Sequence, residues 1–183
     1  MKSPTPPAWL PATLPFSGDW YAFLSSLYQI FTRDFKVSEP IFRGCRVKHN
    51  SRIDPAMGQG KEEGFWHLVT RDQWVENRET KKKEKERLPD LKRAGCLPWT
   101  RASIENCDEP EIVSWDYEEA TRKGTTIRTY VWLKDFDFVV VLERQQVRGT
   151  VTYFLVTSFC VLYEGKRKDL NSRYSNRINR VGG

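Results

Sequence analysis

The chain has 183 residues, 39% of them hydrophobic and 30% charged, and its formal net charge is +6. We expect one folded domain (17–183) behind a proline-rich extension (1–16), because seven Trp residues can bury large areas. No apolar run is long enough for a membrane span, and the start lacks a signal-peptide pattern. These features predict a cytoplasmic protein without membrane association, whose basic surface attracts nucleic acid.

Short motifs for a metal or a cofactor are missing from the sequence. The cysteines are far apart in the chain: Cys45, Cys96, Cys107 and Cys160. Zinc sites usually use ligand pairs only about two to four residues apart. The chain also lacks a glycine-rich phosphate loop and an HExxH pair. We therefore predict reduced thiols, no metal and no cofactor.

The first elements can be read from proline content and apolar spacing. Residues 1–16 are expected to be extended and to pack on the domain through Trp9 and Leu10. The segment Ser17-Gly18-Asp19 is a helix start, and apolar residues then recur at helical spacing over Trp20–Phe31. We predict a first helix there.

The middle of the chain is less regular. Ile41–Val47 predicts a short hairpin. Gly64–Trp74 has no clean period and fits a helix or a strand. Arg78–Arg93 is a basic insert with interleaved acids, expected to be a solvated loop or an exposed helix. Pro89–Cys107 predicts two short helical turns separated around Pro98, whose ring interrupts a continuous helix.

The last third is rich in β-branched and aromatic residues interrupted by turn-forming stretches. Four strands are predicted: Ile112–Tyr117, Thr125–Leu133, Phe136–Leu142 and Val151–Tyr163. Lys166–Arg180 is expected to be a short closing helix with Leu170 and Tyr174 facing inward. The predicted fold class is α+β, with N-terminal helices packed on a C-terminal four-stranded antiparallel β-meander.

His67 is the most informative single residue. It is one of only two histidines, and it lies in Gly64-Phe65-Trp66-His67-Leu68-Val69-Thr70-Arg71. Histidine changes charge near neutral pH, so a proton-transfer role falls to it most readily. A histidine among aromatic residues is also typical of a packed core. Both interpretations stay open on the residues alone.

The remaining candidates are mainly basic, hydroxyl-bearing or aromatic. Arg128 lies at the rim of a covered strand face or points at an anionic ligand, and Thr157 is either a good strand former or a functional hydroxyl. Asp135, Asp137 and Glu143 are interpreted as solvated charges beside turns. The candidate substrate-binding residues are Thr70, Arg71, Lys92, Arg93, Arg101, Tyr130, Trp132, Ser158 and Tyr174. This inventory suits metal-free RNA cleavage, in which histidine moves protons, arginine binds phosphate and aromatic rings stack on bases.

Three motifs carry a resemblance to a known group of proteins. They are Phe-Trp-His-Leu (65–68), Leu-Pro-Trp-Thr-Arg-Ala-Ser-Ile-Glu-Asn (97–106) and Tyr-Phe-Leu-Val-Thr-Ser-Phe (153–159). With the order of elements, they make residues 41–177 resemble the barnase–EndoU–colicin–RelE (BECR) superfamily of metal-independent ribonuclease toxins.

The resemblance implies an endoribonuclease that cleaves tRNA or mRNA by 2′-OH attack, leaves a 2′,3′-cyclic phosphate, and pairs with an antitoxin or immunity protein. His67 would be the catalytic acid or base, Arg128 and Arg101 would hold phosphate, and Thr157 would orient it. The alternative is a non-catalytic nucleic-acid-binding or partner-binding module. Convergence of these four residues in one cleft would favour the enzyme, and scatter would favour the module.

Overall fold

The computed structural model describes residues 4–57, 59–121 and 124–178. Within these residues the chain forms five α-helices and eight strands. The helices are α1 (Trp20–Phe31), α2 (Glu63–Val69), α3 (Leu91–Gly95), α4 (Leu97–Glu105) and α5 (Glu164–Ser175). The strands are β1 (Ile41–Phe42), β2 (Cys45–Lys48), β3 (Thr70–Glu76), β4 (Lys83–Pro89), β5 (Ile112–Thr121), β6 (Gly124–Leu133), β7 (Phe138–Val147) and β8 (Thr150–Cys160). A π-helix, Thr32–Val37, continues α1.

Six of these strands form one mixed sheet in the order β1-β2-β8-β7-β6-β5. Strands β5 to β8 are antiparallel to their sequence neighbours. Strand β2 pairs in parallel with β8 through Val47 and Tyr153, and β1 pairs with β2. The predicted four-stranded antiparallel meander is therefore wrong. The predicted hairpin at Ile41–Val47 is confirmed, but its addition to β8 depends on a long-range pairing that local periodicity does not encode.

The large sheet separates two apolar clusters. On one face, Val140 and Leu142 belong to the main core. The helical residues in that core include Phe23, Leu27, Phe31, Phe65, Leu97 and Ile104. On the other face, Leu170 of α5 packs in a smaller cluster with Trp115 and Trp132. Because side chains alternate along a strand, residues 128 and 143 share the face on which α5 packs.

Helix α1 begins where the sequence predicts. The Asp19 carboxylate accepts hydrogen bonds from the backbone N–H groups of Tyr21 (2.8 Å) and Ala22 (3.2 Å) and so caps the helix. The residues of its apolar stripe that are buried are Phe23, Leu24, Leu27 and Phe31. The predicted first helix is confirmed.

The proline-rich segment packs on the domain, as expected, over residues 4–16. Leu10 is buried in the main core. Leu14 N–H donates to the carbonyl of Gly95 (2.8 Å), and the Trp99 indole N–H donates to the carbonyl of Pro11 (2.8 Å). Residues 1–3 of the predicted extension lie outside the described residues.

The basic insert, predicted to be a loop or an exposed helix, is a turn only at residues 78–82. Its middle is strand β4, which pairs with β3 from Thr70↔Pro89 to Glu76↔Lys83, and its last residues begin α3. The stretch Gly64–Trp74, which fits a helix or a strand, contains nearly all of α2 followed by the first part of β3. The two helical turns after Pro89 are confirmed as α3 and α4. The break between them is at Cys96, and Pro98 lies in the first turn of α4, where its missing N–H has no cost.

The closing helix is shorter than predicted and runs over Glu164–Ser175. Residues 179 and 180 of the prediction lie outside the described residues. Leu170 is fully buried, as expected, whereas Tyr174 stays 38% exposed although its ring contacts Trp115 with 5.4 Å between centroids. None of the helices in the described residues is long and apolar enough to cross a membrane.

Candidate active site

A cleft of about 230 Å³ lies on the outer face of β6, β7 and β8, beside α2. Both polar and apolar residues line it. Its lining residues are Asn50, Gly64, His67, Arg128, Glu143, Gln145, Phe154, Leu155 and Val156. An imidazole, a guanidinium and a carboxylate thus share one small cavity.

Strand register brings the charged pair of the cleft together. Arg128 on β6 is directly opposite Glu143 on β7, and Glu143 is opposite Phe154 on β8. These three residues form one row across the sheet. Gln145, two residues after Glu143, points to the same face and adds an amide.

Helix α2 brings His67 to this row. Strand β2 pairs with β8 only as far as Phe154, and α2 packs beside β8. The backbone N–H of Gly64 donates to the carbonyl of Asn50 (3.0 Å), and the Asn50 amide donates to Glu63 (2.6 Å). The start of α2 is therefore fixed against the segment that follows β2, and His67, one turn later, reaches the cleft.

The environment of His67 favours its neutral form. The residue is half-buried in the last turn of α2. Burial, together with the positive charges of Arg87 and Arg93, lowers the pKa of His67 below its ordinary value of 6.5. The imidazole is therefore largely uncharged near neutral pH and is able to accept a proton.

Arg128 is held by two carboxylates. Its Nη1 lies 2.7 Å from Glu143, its Nε lies 3.5 Å from Glu119, and its side chain is only 17% exposed. Glu119 also pairs with Arg173 of α5 and accepts a hydrogen bond from the Tyr130 hydroxyl (3.2 Å). The guanidinium thus has a fixed orientation, and its charge is balanced by its neighbours.

A second arginine supports His67 from behind the cleft. The guanidinium of Arg93 donates to the backbone carbonyl of His67, to the carbonyl of Thr70 (2.7 Å) and to the hydroxyl of Thr157. The Thr157 hydroxyl in turn donates to the His67 carbonyl (3.2 Å). Burial lowers the pKa of Arg93 to about 10. These contacts fasten the end of α2 to β8 and occupy Arg93 and Thr157 within the fold.

Several predicted site residues lie away from the cleft and make structural contacts. Arg101 donates to the carbonyls of Asp34 (2.9 Å) and Ser38 (3.0 Å) and pairs with Glu105 (2.7 Å). It therefore ties α4 to the end of the π-helix. The hydroxyl of Ser158 is buried against that of Thr100 at 3.0 Å.

The aromatic candidates, and the candidates next to or within the β3–β4 hairpin, also lie outside the cleft. Tyr130 stacks on Trp115 at 5.1 Å, and Trp132 is buried beneath α5 with them. The Thr70 hydroxyl is buried and donates to the Trp66 carbonyl (2.6 Å). Arg71 and Lys92 are exposed and do not line the cleft. Of the predicted site residues, the structure therefore brings only His67 and Arg128 together in this cavity.

Glu143 is the charged residue of this cleft that lies outside the site predicted from sequence. The expectation of a solvated charge beside a turn is wrong for Glu143, because its side chain is 24% exposed and ion-paired with Arg128. The pairing of β6 with β7 indicates the position of Glu143. With the turn at Lys134–Asp137, antiparallel pairing of Leu133 with Phe138 places Arg128 opposite Glu143.

No protein-family model matches this chain, and no curated protein or solved structure matches it.

Proposed function

We propose that this protein is a metal-independent endoribonuclease. The observation that carries the proposal is the cleft in which His67, Arg128 and Glu143 converge. RNA cleavage by the neighbouring 2′-OH needs a group that removes the hydroxyl proton and a cation that stabilises charge on the phosphate. A neutral imidazole and an oriented guanidinium supply these two functions.

In the proposed reaction His67 is the general base. Its neutral imidazole takes the proton of the 2′-OH, and the 2′-oxygen forms a bond to phosphorus. The bond from phosphorus to the 5′-oxygen breaks, and that oxygen takes a proton from solvent. The products are a 2′,3′-cyclic phosphate and a 5′-OH end, and the imidazolium then releases its proton to water.

Arg128 binds the phosphate, and Glu143 holds the guanidinium of Arg128 in position. A guanidinium has five N–H donors in one plane, and the pairs of Nη1 and Nε with Glu143 and Glu119 use only part of them. The remaining donors reach a phosphate oxygen without loss of the ion pairs. The carboxylates thus prevent the guanidinium from rotating as charge develops.

We extend the proposal to the cellular location and the partners of the protein. An RNA substrate, tRNA or mRNA, places the activity in the cytoplasm. A ribonuclease toxin needs restraint in the cell that makes it, so we include an antitoxin or immunity protein as a partner. Cleavage of this kind requires neither metal nor cofactor.

A second candidate function is a non-catalytic nucleic-acid-binding module. Its support is that the four predicted residues do not all converge: His67 and Arg128 line the cleft, whereas Arg101 and Thr157 make contacts within the fold. It predicts salt-sensitive RNA binding with RNA left intact after long incubation.

The test compares two histidine variants, His67→Gln and His49→Gln. His49 is the matched control, since it is also half-buried but packs on Phe31 at 5.1 Å instead of lining the cleft. Purified proteins are incubated with total RNA in EDTA, and the new ends are mapped. We expect wild type and His49→Gln to leave 2′,3′-cyclic phosphates, and His67→Gln to lose at least about a hundredfold in rate.

Two results would contradict the proposal. Equal cleavage by wild type and His67→Gln would remove the imidazole from the mechanism. Intact RNA with the wild type, or cleavage that EDTA abolishes, would exclude the metal-independent enzyme and leave the binding module.

A further inference from the structure

The hairpin β3–β4 is a ribbon with its own sheet. Its strands pair only with each other among the strands of the described residues. Each strand has seven residues, so the ribbon is roughly 23 Å long at about 3.3 Å per residue. Most of its described side chains are exposed, and none of them belongs to either apolar cluster. This segment contributes little to the core, so its sequence is free to serve binding.

The tip of the ribbon concentrates positive charge in an ordered turn. Between residues 78 and 83 the chain carries four bases and one acid. The exposed bases are Arg78, Lys81, Lys82 and Lys83. The Asn77 side chain accepts hydrogen bonds from the backbone N–H groups of Glu79 (3.0 Å) and Thr80 (3.1 Å). The backbone carbonyl of Lys82 accepts from the N–H of Asn77 (2.8 Å). The basic side chains therefore start from a fixed backbone.

Trp74 is the aromatic residue of the ribbon, and it is 67% exposed. A tryptophan left in water loses the favourable free energy of burial. An exposed ring on a strand is also a surface on which an unpaired base can stack. Trp74 lies on β3 between the cleft end of the ribbon and its basic tip.

The ribbon starts beside the candidate active site. The ribbon begins at Thr70, directly after α2. Next to its last residue, Asp90 N–H donates to the carbonyl of Val69 (3.1 Å). Arg87 of β4 lowers the pKa of His67, and Asp72 of β3 raises it. The end of the ribbon next to α2 is therefore within electrostatic reach of the imidazole.

The cleft itself does not attract a polyanion strongly. The charge of Arg128 is balanced by Glu143 and Glu119, and His67 is neutral near pH 7. Attraction for a phosphate backbone must therefore come from a neighbouring surface. The basic tip, with its four bases against one acid, has the required sign.

We propose that the β3–β4 ribbon is an arm that binds a single-stranded RNA segment next to the cleft. Trp74 stacks on a base, and the bases of the tip contact the phosphates that follow it. The inference rests on the proposed function in one respect, since it treats the bound RNA as the substrate of the cleft. Binding itself does not require that cleavage occurs.

The experiment measures binding separately from cleavage. The probe is a short, mixed-sequence, fluorescein-labelled 2′-O-methyl RNA, which lacks the attacking hydroxyl, and binding is read by anisotropy across a salt series. The arm variants are Trp74→Ala and the triple substitution Lys81→Gln, Lys82→Gln, Lys83→Gln. The matched controls are Tyr21→Ala, a ring 75% exposed on α1, and the triple substitution Lys48→Gln, Lys134→Gln, Lys168→Gln at exposed sites elsewhere.

We expect Trp74→Ala to weaken binding roughly tenfold or more, as loss of one stacked base does. The triple tip variant should reduce the slope of log Kd against log salt by about 2, since each single-strand phosphate contact contributes about 0.7. The controls should bind like the wild type. Circular dichroism should be unchanged, because these side chains are exposed.

Arm variants that bind like the wild type, or a wild type that does not bind the probe, would overturn the arm. If the triple variant of the arm and the control triple variant lose the same RNA affinity, the loss reflects only net charge, and the arm proposal is overturned as well. Failure of the proposed function looks different. In that case arm variants lose binding while natural RNA stays intact with the wild type.

Discussion

Thr157 lies at the junction of α2 and β8, and its hydroxyl has a structural task. It accepts from Arg93 and donates to the carbonyl of His67 (3.2 Å). Arg93 is largely removed from water, which is why burial lowers its pKa to about 10. Each buried N–H of a guanidinium that lacks an acceptor costs free energy, so Thr157 contributes to the stability of the fold by accepting one.

This role gives a prediction for Thr157→Val, which keeps the shape of the side chain and removes the hydroxyl. The free energy of unfolding should fall by about 1–3 kcal/mol, because a donor of Arg93 loses its partner. Cleavage by the folded variant should fall by less than about tenfold, because the hydroxyl does not line the cleft. Urea unfolding and single-turnover cleavage measure the two effects. An unchanged stability with cleavage lost would instead make Thr157 a phosphate ligand.

The sequence identified part of the candidate site and missed part of it. His67 and Arg128 stand out from sequence because a rare residue type and a charge within an apolar strand are both local signals. Arg101 and Thr157 carry similar local signals, but the fold uses them for backbone contacts. Glu143 was missed because its importance comes from the residue opposite it, and strand register is not visible in composition.

At the scale of elements, α2 owes its position to Gly64. A Cβ at Gly64 would lie 2.7 Å from the carbonyl oxygen of Asn50, and both residues line the cleft. That distance is too short for any side chain, and the obstacle is backbone. The glycine therefore permits the close approach that brings His67 to the sheet.

A pair of substitutions tests this claim. Gly64→Ala should lower the free energy of unfolding by about 1–3 kcal/mol through overpacking and should slow cleavage by displacing His67. Gly165→Ala in α5 is the control, since its Cβ would meet only the Tyr163 ring at 3.6 Å. It should leave stability unchanged or raise it by up to about 1 kcal/mol, as alanine favours a helix. Denaturant unfolding of both variants provides the comparison. Equal stability of the two variants would contradict the close approach.

The elements that sequence predicted well are those with their own apolar pattern and caps. Helix α1 has both an apolar stripe and the Asp19 cap. The ribbon β3–β4 has neither, because most of its described side chains face water, and charged residues alone do not distinguish a strand from a loop. Strand β2 is too short to show a period, and its parallel pairing with β8 joins distant parts of the chain.

At the scale of the whole molecule, the two faces of the sheet have different tasks. One face carries the main core beneath α1 and α4. The other is only partly covered by α5, so the polar row of Arg128 and Glu143 stays accessible beside His67. In our account the basic tip of the ribbon attracts RNA, while the cleft, in which the charge of Arg128 is balanced by Glu143 and Glu119, performs the chemistry.

The central claim is that neutral His67 is the base for 2′-OH attack, and the pH dependence of kcat/KM for RNA cleavage tests it most directly. Because burial lowers the pKa of His67 below 6.5, the base form persists into mildly acidic solution. We predict that kcat/KM rises with pH, reaches half its plateau below about pH 6.5, and stays flat above neutrality. In His67→Gln the residual rate should lose this dependence, whereas His49→Gln should keep it. The same pH profile in wild type and His67→Gln would contradict the account.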